Sequence, residues 1–125
     1  MPFTLLRAHL ECLKILLKHR PAIVVGFGGY ATFPITLTAK LLFKPVVIHE
    51  QNSVAGLTNR ILAKVANKVL VAFPAVLAGS KTLLVGNPVR QEIIAAFQNK
   101  DISSEDVAGL RVLIIGGSLG AKALN

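Results

Sequence analysis

Pro45-Val46-Val47-Ile48-His49-Glu50-Gln51-Asn52 is the stretch on which the reading of this chain turns. The apolar, β-branched run reads as a buried strand, and it ends directly in an imidazole, a carboxylate and two amides. Such groups are costly to bury without partners, so they belong at a strand's exit. In open parallel α/β sheets, ligands bind outside the carboxyl ends of the strands. The tetrad 49–52 is therefore expected to form the floor of a ligand site.

Working toward the front, Lys44-Pro45 turns the chain into this strand, and residues 34–43 read as a helix with Pro34 in its first turn. Ahead of it, Ala22-Ile23-Val24-Val25 is a short strand running into Gly26-Phe27-Gly28-Gly29-Tyr30. A strand, a glycine turn and a helix in that order leave backbone N–H groups free for an anion. The spacing is G-x-G-G rather than the dinucleotide fingerprint, and a tight turn alone would also explain the glycines. Residues 3–20 are helical in pattern, with Leu6, Leu10, Leu13 and Leu17 as a stripe widened by Leu5 and Leu16, and Arg7, Glu11, Lys14 and Lys18 on the polar side. That stripe reads as a core face. The competing reading is an apolar surface rimmed by bases, resting on an anionic bilayer.

Toward the back, residues 53–56 lead into a helix through Ala66, with Leu57, Ile61, Leu62 and Val65 as its apolar positions. Residues 68–72 and 83–85 are strands, and Gly86-Asn87-Pro88-Val89-Arg90 sets an arginine just past the second. The order predicts an α/β fold with a parallel sheet and right-handed crossovers. Residues 98–110 turn polar and acidic, as a linker between domains does. Arg111-Val112-Leu113-Ile114-Ile115 is then a strand entering Gly116-Gly117-Ser118-Leu119-Gly120, and a helix begins at Ala121. One strand and one helical turn cannot bury their own apolar faces, so the sequence reads as cut from something longer.

Composition narrows the classes. Of 125 residues, 53% are hydrophobic, which argues against disorder. The single cysteine, Cys12, excludes an internal disulfide framework and a multi-thiolate metal site, and reads as a small apolar residue on a helix. Residues 1–90 hold eleven Lys/Arg against two acids, Glu11 and Glu50, while residues 91–125 hold three against four. A basic surface suits anionic lipid or phosphorylated ligands. No Arg/Lys-rich run or interleaved aromatics accompany it, so no nucleic-acid partner is expected. The uncharged span 21–39 is punctuated by prolines and glycines and is not read as a membrane helix, and no secretory signal follows Met1.

Taken in order, Val25-Gly26-Phe27-Gly28-Gly29-Tyr30, His49-Glu50-Gln51-Asn52 with Ala55-Gly56-Leu57-Thr58-Asn59, Gly86-Asn87-Pro88-Val89-Arg90, and Gly116-Gly117-Ser118-Leu119-Gly120-Ala121 with Leu124-Asn125 closely resemble the MurG family of bacterial glycosyltransferases. The resemblance implies a GT-B fold of two Rossmann-like domains. Residues 1–97 would be part of the acceptor-side N-terminal domain, 98–110 the linker, and 111–125 the opening of the donor-binding domain. It implies an inverting transferase that moves N-acetylglucosamine from UDP-N-acetylglucosamine to undecaprenyl-linked lipid I, giving lipid II for peptidoglycan, with no cofactor and no metal.

The implied site assigns Glu50 and His49 to orienting or deprotonating the acceptor. Asn52, Arg90, Ser118, Gly28, Gly29, Tyr30, Gly116, Gly117 and Gly120 would bind substrate. A second reading of His49 makes it a buried residue that holds the loop. The resemblance also implies docking on the anionic cytoplasmic face of the bacterial inner membrane, through Phe3, Leu6 and Leu10 with Arg7, Lys40 and Lys64. The family's first glycine-rich loop, with its proposed general base, would precede this chain, so the isolated chain is expected to be inactive. Two departures stand out: Ala31-Thr32-Phe33-Pro34 replaces a usual Ser-Gly before the proline, predicting a looser approach of that loop to its ligand, and Leu119 replaces a usual glutamine. The alternatives are another GT-B nucleotide-sugar transferase, or a non-catalytic fragment that binds a membrane or a partner.

Overall fold

Four short parallel strands in the order β1-β2-β3-β4 carry the fold of the computed structural model, which describes residues 2–98. Along the chain these are α1 (Pro2–His19), β1 (Val24–Gly26), α2 (Thr32–Leu41), β2 (Val46–Glu50), α3 (Leu57–Leu62), β3 (Lys68–Val71), β4 (Thr82–Leu84) and α4 (Gln91–Gln98). The register pairs Val24 with Val46, Ile48 with Val69, and Val71 with Leu84. The parallel sheet expected from the sequence is thus formed.

Side chains alternate across a strand, and the register carries that alternation across the sheet. One face presents Val46, Ile48, Val69 and Val71, which pack with Leu16 of α1, Ala39 of α2 and Leu62 of α3 into the core. The other face presents Val25, Val47, His49, Leu70 and Leu83. The link from β3 to β4 has no helix, and instead tucks Val76 under the sheet while Ala75 and Leu77 adopt positive φ.

Two helices bury faces other than those their leucines suggest. In α1, Leu16 is buried and His9, Cys12 and Leu13 are half-buried, whereas Leu6, Leu10 and Leu17 are more than half exposed. The reason is geometric: α1 touches α2 and no other described element, so it offers one narrow seam to the fold. The seam is fixed by His9, whose Nδ1 lies 2.8 Å from Thr38 Oγ1. Thr38 donates to Pro34 O, so the imidazole N–H is the donor of that pair. In α3 the inward positions are Asn59 and Leu62, continued by Ala66, while Leu57 and Ile61 face outward.

The chain divides into two units, Met1–Pro88 and Val89–Asn125. Within the second, α4 goes beyond the elements expected from the sequence; the spacing of Ile93, Ile94 and Phe97 is its signal. The expected strand 111–115 and glycine loop 116–120 lie outside the described residues.

Candidate functional site

Strand β2 ends by sending Glu50 to the helix-covered face and His49 to the opposite one. Glu50 is 1% exposed, a burial that an ionised carboxylate tolerates only with its lone pairs occupied. They are occupied. Oε1 accepts the backbone N–H of Asn52 at 3.0 Å and its side-chain amide at 3.1 Å. Oε2 accepts the N–H of Gly56 at 3.1 Å and the amide of Asn59 at 2.9 Å. The second N–H of Asn59 goes to His49 O at 3.0 Å. One carboxylate and one buried amide therefore cinch the loop 51–56 onto the start of α3.

Burial pushes the Glu50 pKa up, but the hydrogen bonds from Asn59, Asn52 and Gly56 together outweigh it and hold the group below the ordinary glutamate value. Glu50 is thus an anion at neutral pH with both oxygens already engaged. His49, 4% exposed, places Nε2 at 3.0 Å from Gly86 O, which assigns the proton to Nε2. Nδ1 is then a buried acceptor without a partner among the described residues. The ring leans on Phe27 at a centroid distance of 5.5 Å, and Asn87 Nδ2 reaches Gln51 O at 3.2 Å, so the 86–87 turn braces the tetrad from its side.

The glycine turn closes the other wall. Gly28 sits at φ +81°, where a side chain is strained, and a Cβ there would come within 3.0 Å of Asn59 Nδ2. Thr32, at the start of α2, donates its hydroxyl between Gly28 O and Gly29 O at 2.6 and 3.0 Å, pinning the turn to the helix. The Ala31-Thr32 departure thus supplies its own fastening.

Between the two walls lies a hollow of about 140 Å³, lined by Gly28, Gly29, Glu50, Asn52, Thr58 and Asn59 among others. An apolar groove of about 710 Å³ adjoins it, with Leu5, Ala8, Ile15, Tyr30, Phe33 and Ile61 in its walls. Leu57 and Thr58 line both. The hollow presents amides, a hydroxyl and backbone groups, and the buried Oδ1 of Asn59 has no partner among the described residues. Such a surface hydrogen-bonds a hydroxyl-rich ligand. Among the described residues, no group of three or more His, Cys, Asp or Glu is placed to hold a metal.

Of the residues expected from the sequence, Gly28, Gly29, Glu50 and Asn52 are brought together at this hollow. His49 lies buried on the opposite sheet face, and Tyr30, 91% exposed, stands on the adjoining groove. Arg90 belongs to the second unit, where its carbonyl accepts the N–H groups of Ile93 and Ile94. Gly116, Gly117, Ser118 and Gly120 lie outside the described residues, as does the side chain of Phe3.

The expected membrane patch is divided. Leu6 and Arg7 are exposed near the front of α1, Arg7 in a surface pair with Glu11 at 3.0 Å. Lys40 instead donates to Asn67 Oδ1, and Lys64 lines a hollow with Val69 and Thr82. Both lie toward the amino-terminal ends of the strands, away from the tetrad. Asn59 is the residue the sequence reading missed as a site residue. Its signal was present: a polar amide one turn before Leu62, on the face that Ala66 continues.

Comparisons with known proteins agree with this fold. The model of the glycosyltransferase family 28 N-terminal domain matches residues 1–71. A relative from Cupriavidus necator, named UDP-N-acetylglucosamine–N-acetylmuramyl-(pentapeptide) pyrophosphoryl-undecaprenol N-acetylglucosamine transferase, is 48% identical over the whole chain, which covers 35% of that protein. A relative of the same name from Ralstonia nicotianae is 49% identical over the whole chain, covering 34% of it. A crystal structure of Acinetobacter baumannii MurG superposes with a TM-score of 0.76 at 40% identity, over 98% of this chain and 34% of that one. The chain spans about a third of the length of the curated relatives it matches.

Proposed function

This chain belongs to glycosyltransferase family 28, and from that premise we propose that it is the acceptor-side portion of a transferase that moves N-acetylglucosamine from UDP-N-acetylglucosamine to undecaprenyl-linked lipid I. The observation that carries the reading is the hollow at the carboxyl ends of β1 and β2. Its walls are the Gly28-Gly29 turn and the loop that Glu50 and Asn59 hold closed. Acceptor sugar hydroxyls bond there to the Asn52 amide, the Thr58 hydroxyl and the backbone of the Gly28-Gly29 turn, which packs against Asn59 where a Cβ at Gly28 would collide.

Within this reading Glu50 is a positioning residue. A general base needs a free lone pair and a pKa near the working pH, and Glu50 has neither. Deprotonation of the attacking hydroxyl and stabilisation of the departing UDP fall to other parts of the transferase, with the 116–120 glycine loop suited to the diphosphate. His49 keeps Gly86 and the tetrad in register through its Nε2–H. The exposed Leu5, Leu6 and Leu10, with Arg7 beside them, bring this end of the domain to the cytoplasmic membrane surface where the lipid-linked acceptor resides. Among the described residues, no helix is long and apolar enough to cross a membrane.

The test is a chimera in which this chain replaces the matched segment of the Cupriavidus necator relative. The chimera transfers N-acetylglucosamine to lipid I. Asn52→Ala lowers its kcat/KM about tenfold, the worth of one substrate hydrogen bond, and leaves the chain folded with a slightly lower Tm, because Asn52 is exposed and Glu50 keeps three of its four donors. An inactive chimera, or an Asn52→Ala variant with full activity, rejects the assignment.

A further inference from the structure

The polar hollow and the apolar groove form one continuous surface. Leu57 and Thr58 line both, and the Gly28-Gly29 turn of the hollow runs directly into Tyr30 and Ala31 of the groove. Ala8, Cys12 and Phe33 are half-buried in the groove, and Leu5, Leu57 and Ile61 are exposed along it. Burial, then the neighbouring Glu11 carboxylate, raises the pKa of the Cys12 thiol, so the sulfur lies there neutral and apolar. The groove follows α1 from Thr4 to Ile15, a rise of about 16 Å at about 1.5 Å per residue, and so suits an elongated chain. It is also separate from the outward leucines of that helix. Leu5, Ala8, Cys12 and Ile15 lie about 160° around α1 from Leu6, Leu10 and Leu17, at about 100° per residue.

An amphiphile whose hydroxyl-rich head is joined to an apolar chain matches this succession of surfaces. At the join, α2 begins at Ala31 without a side-chain cap, which leaves its first N–H groups to an anion between head and chain. We propose that the groove seats the first isoprene units of the lipid-linked acceptor, and that the chain leaves past Leu5 toward the bilayer. The proposal rests on the acceptor reading of the hollow, because the sugar held there directs the chain into the groove. A diacyl phospholipid brings no sugar to the hollow and is held less tightly. Two sides of α1 then act differently: the outward leucines meet the membrane, and the groove side grips the acceptor's own chain. The part of that chain nearest the diphosphate is recognised by protein, where apolar surface removed from water adds to affinity.

The test uses the chimera in detergent micelles, with lipid I bearing a diazirine on its second isoprene unit. Illumination labels α1 between Leu5 and Ile15 and α3 at Leu57 or Ile61. Unlabelled lipid I removes the labelling, and phosphatidylglycerol at the same concentration leaves it. Ile61→Asp raises the KM for lipid I at least about tenfold with kcat within about twofold, the mark of lost binding shared by ground and transition states. With the same head group on a single isoprene unit, that variant changes KM by less than about twofold. Leu41→Ser, exposed on α2 away from both sites, alters neither value. Unchanged amide exchange at Ile48 and Val69 verifies that Ile61→Asp remains folded. Groove labelling in a chimera that transfers nothing supports the groove and counts against the transfer reading alone. The groove is overturned if labelling is absent or falls on Leu6 and Leu10, if phosphatidylglycerol erases it, or if Ile61→Asp raises both KM values equally.

Discussion

The loop at the end of β2 and the front of α1 invert the usual assignment of residues to inside and outside. Around the loop an acid and an amide are drawn in, Glu50 and Asn59, both to 1% exposure. On α1, a few residues from the apolar groove, Leu6 and Leu10 stand more than half exposed. The difference teaches that burial here follows the supply of partners rather than polarity. Glu50 meets four donors, so the cost of removing it from water is met by charge-assisted bonds. Leu6 and Leu10 meet no second element, because α1 offers its seam to α2 and nothing else.

The contrast breaks most visibly at Glu50. Glu50→Ala strands the Gly56 N–H, the Asn52 N–H and one Asn59 N–H, and is expected to lower unfolding free energy by about 3 kcal/mol or more in a denaturant titration. Gly28→Ala is expected to cost about 1–2 kcal/mol in the same assay, from its left-handed φ and the close approach to Asn59. At the far end of the scale, Leu6→Ser changes stability by less than about 0.5 kcal/mol, since the side chain leaves no partner behind. Its effect is read instead on vesicles containing anionic lipid, where binding weakens; unaltered binding would detach this helix from the membrane.

Acid sharpens the same comparison. The folded pKa of Glu50 lies below its ordinary value of 4.5, so its contribution is fully present above that value and is lost as pH falls through the lower, folded one. The stability gap between the native chain and Glu50→Gln, measured by denaturant titration across that window, is expected to be constant above pH 4.5 and to close below it. A gap that stays open in acid would contradict the charge-assisted clamp.

Much of this was legible in the sequence. An apolar run that stops at His49-Glu50 announces a strand exit, and the glycine turn at 26–30 marks the facing wall, so the sheet and the place of the site follow. The helix faces did not, because α1 is so rich in leucine that several stripes fit it, and only docking through His9 and Leu16 selects one. The role of Glu50 was hidden for a different reason: two of its four donors are backbone N–H groups, which no side-chain pattern displays. Asn59 was overlooked because an amide on a core-facing stripe reads as an interruption until its two acceptors are seen.

The most direct measurement is the pH dependence of kcat for the chimera with and without Glu50→Gln. A clamp predicts that the acidic limb keeps its position while the acceptor KM rises several-fold. Disappearance of that limb together with a fall in kcat of about a hundredfold or more, the scale of a lost general base, would contradict it.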